Sequence, residues 1–271
     1  MKRNLQIFCT SINYHKVIDT LPDYIYPLGL GENTFPTNWY NEKNGKNISN
    51  LNQYYGELTG LYWIWKNKLV EMKRDDLIGN CHYRKLWLNN LYINKQKFSF
   101  SSLYSKLLNP INISSECESI QVQPINFQNK NLSKDFQEVH KIDILNDCVN
   151  FLDENNKSLF LKHLDKNVLY PLNMFITKVD LFEKYCETLF PWLEKCLNLC
   201  LKKNLCIGYN TRLPAFLAER FTSFWFSQFK KKQTLSYARL GKILLSNNLN
   251  KLINPIKMPL TFRMYPTLHQ Y

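Results

Sequence analysis

The residues best suited to chemistry in this 271-residue chain fall in a few short stretches. Asn80-Cys81-His82-Tyr83-Arg84 closes an apolar run that begins at Leu77-Ile78-Gly79. A strand ending in an imidazole, a phenol and a guanidinium presents donors where open α/β sheets bind ligands, at the carboxyl ends of their strands. Arg84 offers a planar fork for a diphosphate, and His82 can donate to an oxygen or ligate a metal. The competing reading pairs His82 and Arg84 with a buried carboxylate such as Glu57. Glu219 and Arg220 sit inside the apolar stretch from Leu213 to Trp225, where a charge has to be paired or used. A cleft-facing Glu219 with a raised pKa is a candidate general base, and an ion pair on the helix surface is the alternative.

Glu57 opens an aromatic segment, where a helix N-terminus favours a carboxylate. Within that segment Tyr62, Trp63 and Trp65 either stack on a base or sugar ring or belong to the core, as aromatics at helical spacing commonly do. Thr10, Ser11 and the Tyr14-His15-Lys16 loop follow the first strand, where they are nucleotide contacts or ordinary turn residues.

These residues need a framework to hold them. Leu5 to Cys9 and Tyr24 to Leu30 read as strands separated by a polar turn, the start of an α/β domain. Asn41 to Asn52 reads as a loop, after which Tyr54, Leu58, Leu61, Tyr62, Trp65 and Leu69 form one helical stripe. Alternation along the strand from Leu77 places Cys81 and Tyr83 on one face, and Asn80, His82 and Arg84 on the other. Residues 91–134 read as an irregular insertion with a short strand near Ser119-Ile120-Gln121-Val122. Helical spacing returns from Asp135 to Phe151 and on to about Leu164. The run from Leu172 to Ile176 reads as a strand. Thr177-Lys178-Val179-Asp180 resembles a capping box for the next helix, which carries Pro191 as an expected kink. A last helix runs from about Pro214 to Phe229, with Asn210 or Thr211 as its cap.

Composition bounds the function. With 45% hydrophobic and 14% aromatic residues the chain has material for one large core, and a disordered or fibrous class is excluded. No run reaches the roughly 18 apolar residues of a membrane span, and no cleavage site follows the amino terminus, so a cytoplasmic location is expected. The eight cysteines form no CxxC pair and have no histidine at ligand spacing, which predicts reduced, buried thiols rather than zinc ligands or disulfides. The net charge of +13 is uneven, since no Asp or Glu follows Glu219. The basic segment 230–271, with Leu240, Ile243, Leu244, Leu245, Leu249, Leu252 and Ile253 between its charges, reads as an amphipathic helix for anionic lipid or as a solvated tail. No nucleic-acid module accompanies the charge, so no nucleic-acid partner is expected. The phosphate and hydrolase signatures GxGxxG, GxxxxGK[ST], GxSxG and HExxH are absent, and so is Asp-x-Asp.

Several blocks occurring in order carry a resemblance: Asn47-Ile48-Ser49, Glu57 to Asn67, Ile78-Gly79 with Cys81 to Lys85, Asn173 to Ile176, Tyr185-Cys186 with Leu189-Phe190, and Glu219-Arg220-Phe221. Together they resemble the DUF4422 family. The resemblance implies a bacterial inverting glycosyltransferase with a GT-A-like single domain over 1–229, a mixed, mainly parallel central sheet flanked by helices, and a helical C-terminal segment over 230–271. It implies a UDP-sugar donor, galactofuranose or a modified furanose in the first instance, and a lipid-linked glycan acceptor in capsular, O-antigen or lipooligosaccharide assembly at the inner membrane face. Glu219 would be the base and Asn173 and Arg220 acceptor or sugar contacts. His82, Tyr83, Arg84, Thr10, Ser11, His15, Lys16 and Glu57 would bind the donor, with His82 and Arg84 standing where relatives of this fold keep Asp-x-Asp, so that they could stabilise the diphosphate without metal; no metal ligand is named and the need for a divalent metal stays open. The chain departs from the family pattern at Lys46, at Gly56 and in the displaced His15-Lys16 pair, which leaves the donor sugar open. A catalytically silent sugar-nucleotide or glycan-binding scaffold of the same pathway is the alternative.

Overall fold

Alternating burial along the strands sorts the side chains onto two faces of one sheet. The computed structural model describes residues 3–89 and 104–239. The chain opens with β1 (Leu5–Ser11), β2 (Ile25–Gly29) and β3 (Tyr40–Asn41), then the helices α1 (Asn52–Tyr55) and α2 (Leu58–Asn67). It returns through β4 (Leu77–His82), β5 (Lys85–Trp87), β6 (Ser119–Val122) and β7 (Ile125–Asn126). Three helices follow, α3 (Leu132–His140), α4 (Leu145–Val149) and α5 (Glu154–Leu164), and then β8 (Val168–Leu169) and β9 (Phe175–Lys178). The long α6 (Val179–Lys202) and α7 (Leu213–Ser227) precede β10 (Lys232–Leu235) and β11 (Tyr237–Arg239).

The central sheet runs β10-β6-β9-β4-β1-β2-β3. Strands β3, β2, β1 and β4 are parallel, β9 runs against both β4 and β6, and β10 is parallel to β6. This is the expected mixed, mainly parallel sheet flanked by helices. On one face Phe8, Leu28, Ile78 and Phe175 pack under α2, α6 and α7. On the other Ile7, Cys9, Leu77, Cys81 and Ile176 form a second core with Trp39, Leu86 and Leu108. The alternation predicted for β4 holds through His82, but Tyr83 and Arg84 lie in the turn to β5, not on the strand. Gly79 in β4 leaves no room beside β9: a Cβ there would stand 2.5 Å from the Phe175 carbonyl oxygen.

Several local expectations give way to tertiary structure. The strand expected from Leu172 begins at Phe175, because Leu172 and Asn173 take left-handed backbone with φ of 82° and 49°. Thr177 caps nothing, since its hydroxyl donates to the Glu118 carbonyl at 2.7 Å across the sheet and α6 starts without a side-chain cap. Asn210 and Thr211 do not cap α7, for they lie in a 3-10 turn over Gly208–Arg212 where Asn210 instead bonds both ends of His140. The helix expected over 135–164 is broken into three by left-handed Lys141 and by the Asp153 cap. Helix α6 continues through Pro191. All eight cysteines are free, seven of them buried. Lys232 to Arg239, expected in the basic C-terminal segment, instead supply β10 and β11 of the sheet, while residues 240–271 lie outside the described residues. No described helix is long and apolar enough to cross a membrane.

Candidate functional site

The carboxyl ends of β1 and β4 and the amino-terminal half of α7 converge on one backbone elbow, Pro171-Leu172-Asn173. For Leu172, a positive φ costs about 1–3 kcal/mol and persists only where its surroundings hold it. Side chains from β4, from α7 and from Glu57 at the start of α2 do so. The Leu172 N–H donates to Glu219 Oε1 at 2.6 Å, and the His82 Nε2–H donates to the Leu172 carbonyl at 3.0 Å. The Asn80 amide donates to the Asn173 carbonyl at 2.9 Å. Asn173 Nδ2 donates to Glu57 Oε1 at 3.2 Å and to the Ala215 carbonyl at 3.3 Å, while its Oδ1 accepts from Thr222 at 3.0 Å. Residues far apart in the chain are thus tied to one turn.

Each ionisable group here has a defined state. His82 is pushed down to about 4 by burial, which outweighs the pull of Glu57. Its carbonyl partner places the ring proton on Nε2, leaving Nδ1 facing the Thr10 hydroxyl at 3.4 Å. Burial works against ionisation of Glu57, yet the guanidinium of Arg212, with His82 and Asn173, holds its pKa down at about 2. Since the imidazole is neutral at pH 7, Arg212 is the charge that faces Glu57 there, with Nη2 donating to Oε2 at 2.7 Å. Behind the elbow lies a second charged row. Arg220 donates to Glu219 Oε2 at 2.9 Å and to Asp135 Oδ2 at 2.7 Å, and Lys130 reaches Asp135 at 2.9 Å from the surface side.

Of the residues singled out from sequence, Glu57, His82, Asn173, Glu219 and Arg220 come together. Three of them are not open to a substrate. Glu219 is buried with both oxygens engaged, so the expected cleft-facing base is a brace for the elbow in this arrangement. Arg220, 1% exposed and spent on two carboxylates, and Asn173, with its amide fully used, are not placed to touch an acceptor. Glu57 does not cap α2; its carboxylate turns to Arg212 and Asn173. Tyr62, Trp63 and Trp65 are resolved as core, Trp63 being buried and the other two packing on Phe190.

Of the remaining candidates, His15, Lys16, Tyr83 and Arg84 are at least partly exposed and form the rim, and Thr10 and Ser11 are not. Thr10 and Ser11 are buried, and their hydroxyls donate to the Cys81 and Asn13 carbonyls. His15 stacks on Tyr83 with ring centroids 4.9 Å apart, Arg84 lies over the outer side of that pair, and Lys16 is exposed. Arg84 does not reach Glu57; the arginine that does is Arg212, 155 residues away in sequence. Arg212 was missed because its partner is a long-range one, and only Gly56 carries a signal of it. That glycine has φ 53°, and a Cβ on it would stand 2.0 Å from Arg212 Nη2.

The carboxyl end of β4 carries Asn80, Cys81 and His82 where a divalent-ion clamp needs paired carboxylates, and among the described residues no three His, Cys, Asp or Glu side chains cluster to hold a metal. These residues do not fit a protein-held divalent cation.

Comparison with known proteins places this geometry. The model of DUF4422, a domain of unknown function, matches residues 10–232. A solved apo structure of WbbM, a bifunctional glycosyltransferase, superposes with a TM-score of 0.72 at 18% identity, covering 88% of this chain and 46% of that one. The chain thus spans about half the length of that structure. No curated protein matches. The likeness shows a glycosyltransferase fold.

Proposed function

The chain belongs to the DUF4422 family, and from that premise we propose that it is an inverting glycosyltransferase, moving a sugar from a UDP-sugar to a glycan acceptor. The observation that supports the reading best is where the ionisable groups stand: Glu57, His82 and Arg212 meet at the carboxyl ends of β1 and β4, within a sheet of glycosyltransferase type. In this reading the nucleotide lies along the Thr10–Lys16 rim, and the diphosphate faces His82, Tyr83 and Arg84. The acceptor oxygen forms the new bond to the anomeric carbon as the bond to the diphosphate breaks, its electron pair leaving on the phosphate oxygen. The acceptor proton passes to a carboxylate. Of the two at the elbow Glu57 is the more exposed, 17% against 10% for the Glu219 side chain, and is ionised throughout the physiological range.

The donor sugar is a galactofuranose or a modified furanose, and the acceptor a lipid-linked glycan. The basic stretch from Lys230 onward then suits contact with anionic lipid at the inner face of the membrane. A donor panel read by calorimetry and product mass spectrometry tests the assignment: UDP, UDP-galactopyranose, UDP-galactofuranose and their N-acetylated forms, each with Mn²⁺ and with EDTA. Donor-specific transfer or hydrolysis is expected, and the absence of nucleotide binding under every condition refutes it. One observation favours a second reading. Every oxygen of Glu57 and Glu219 already accepts a hydrogen bond, which suits a silent sugar-nucleotide-binding scaffold. Binding of UDP without turnover of any donor would select it.

A further inference from the structure

The cations around the cleft are not equivalent. Arg220 is enclosed at 1% exposure and shared between Asp135 and Glu219, so although its Nε lacks a partner it is not open to a ligand. His82 donates its proton to a backbone carbonyl. Arg84 stands on the outer rim against Tyr83, its guanidinium carbon 5.0 Å from the ring centroid. Arg212 differs from all three: its side chain is 42% exposed, and it spends one N–H on Glu57.

The guanidinium of Arg212 is also held in an unusual way. It lies against the backbone of Gly56, where a Cβ would meet Nη2 at 2.0 Å, Cζ at 2.8 Å and Nε at 3.1 Å. Its Nε is buried without a hydrogen-bond partner, a cost of about 1–3 kcal/mol that an arginine serving only as a surface ion pair would avoid by turning outward. Nη2 is thus held between a glycine notch and a carboxylate, while the side chain as a whole stays 42% exposed. A fixed planar fork with free N–H groups matches a phosphate, which it can grip through two parallel bonds.

We propose that Arg212 is the cation that grips the donor's diphosphate, aimed by Glu57 and by the notch at Gly56; this rests on the sugar-nucleotide reading above. Glu57 then has a second duty beside any proton transfer, for it orients the arginine. Arg84 contributes from the rim as an outer charge.

The test is calorimetric titration of the full chain with UDP, uridine and inorganic pyrophosphate, comparing wild type with Arg212→Gln, Arg212→Lys and Gly56→Ala, with thermal unfolding recorded for each. Loss of the fork is expected to weaken UDP and pyrophosphate binding about 10- to 100-fold in Arg212→Gln while uridine binding is unchanged. Arg212→Lys, which keeps the charge without the fork, is expected to fall between the two. Gly56→Ala keeps the arginine but displaces it, and is expected to weaken UDP binding in the same direction. Should Arg212→Gln fail to fold, the lysine and alanine variants carry the same comparison. Wild-type protein that binds UDP, with variants that bind it equally well, overturns the role of Arg212 and leaves the sugar-nucleotide reading standing. Wild-type protein that binds neither UDP nor pyrophosphate overturns both.

Discussion

Replacing Glu219 separates a brace from a base. Oε1 accepts from the Leu172 N–H and Oε2 from Arg220 Nη1, at 2.6 and 2.9 Å. In Glu219→Gln the amide oxygen can serve one of these donors, and the NH₂ then faces the other, so one buried, charge-assisted bond is lost. Arg220 keeps Asp135, so the cost is that of the bond and not of a stranded charge, about 1.5–3 kcal/mol. Glu219→Ala removes both acceptors. It leaves the Leu172 N–H unpaired as well, which brings the total to about 3–5 kcal/mol, and it releases an elbow whose φ of 82° needs a restraint. Urea unfolding at 25 °C measures both variants against wild type, and transfer or donor hydrolysis is measured on the folded fraction. For a brace, the glutamine variant loses stability and its turnover falls by less than about 10-fold. A glutamine variant within about 0.5 kcal/mol of wild type whose transfer falls about 10²–10⁴-fold refutes the argument and makes Glu219 the base.

Three further outcomes follow from the same geometry. Arg220→Met leaves Asp135 with Lys130 alone and Glu219 with the Leu172 N–H alone, and should cost about 3–5 kcal/mol in urea unfolding, whereas a cost under about 1 kcal/mol would mean that those remaining partners suffice. His82, His140 and His163 are each pushed down to about 4 by burial, so the unfolded chain takes up protons between pH 6.5 and 4 that the folded chain refuses. Stability should therefore decline as pH falls through that window, then decline again from about 4.5 toward 2 as Glu57 is protonated; a flat profile between pH 6.5 and 4 in chemical denaturation contradicts it. Gly79→Ala drives a methyl into the Phe175 carbonyl where β4 meets β9, and should lower stability by about 1–3 kcal/mol, with circular dichroism confirming that the variant still folds; an unchanged midpoint would mean that β9 moves aside freely.

Periodicity was enough for the larger elements. The alternation from Leu77 to His82 and the stripe through Leu58, Leu61 and Trp65 are strong because one face of each is buried. What local sequence could not reveal was competition for hydrogen bonds. Thr177 looks like a cap and is drawn off by Glu118; Asn210 looks like one and is drawn off by His140. Leu172 reads as a strand residue, yet a buried carboxylate 47 positions later bends it into the left-handed region. The same reason explains the site. Glu57, His82 and Glu219 were legible as polar groups embedded in apolar surroundings, whereas their partners were not. The Glu57–Arg212 and Asp135–Arg220 pairs span 155 and 85 residues, and no spacing rule joins them.

The last strand of the sheet has a practical consequence. Because β11 lies antiparallel to β5 with Arg239 opposite Lys85, the chain leaves the described fold one residue from Arg84, at the lip of the cleft. The other end of the domain is different, since β1 enters at Leu5 and reaches the cleft only at Thr10, after crossing the sheet. An affinity tag or fluorophore fused shortly after Arg239 would crowd the opening, and the same group fused ahead of Leu5 would leave it clear.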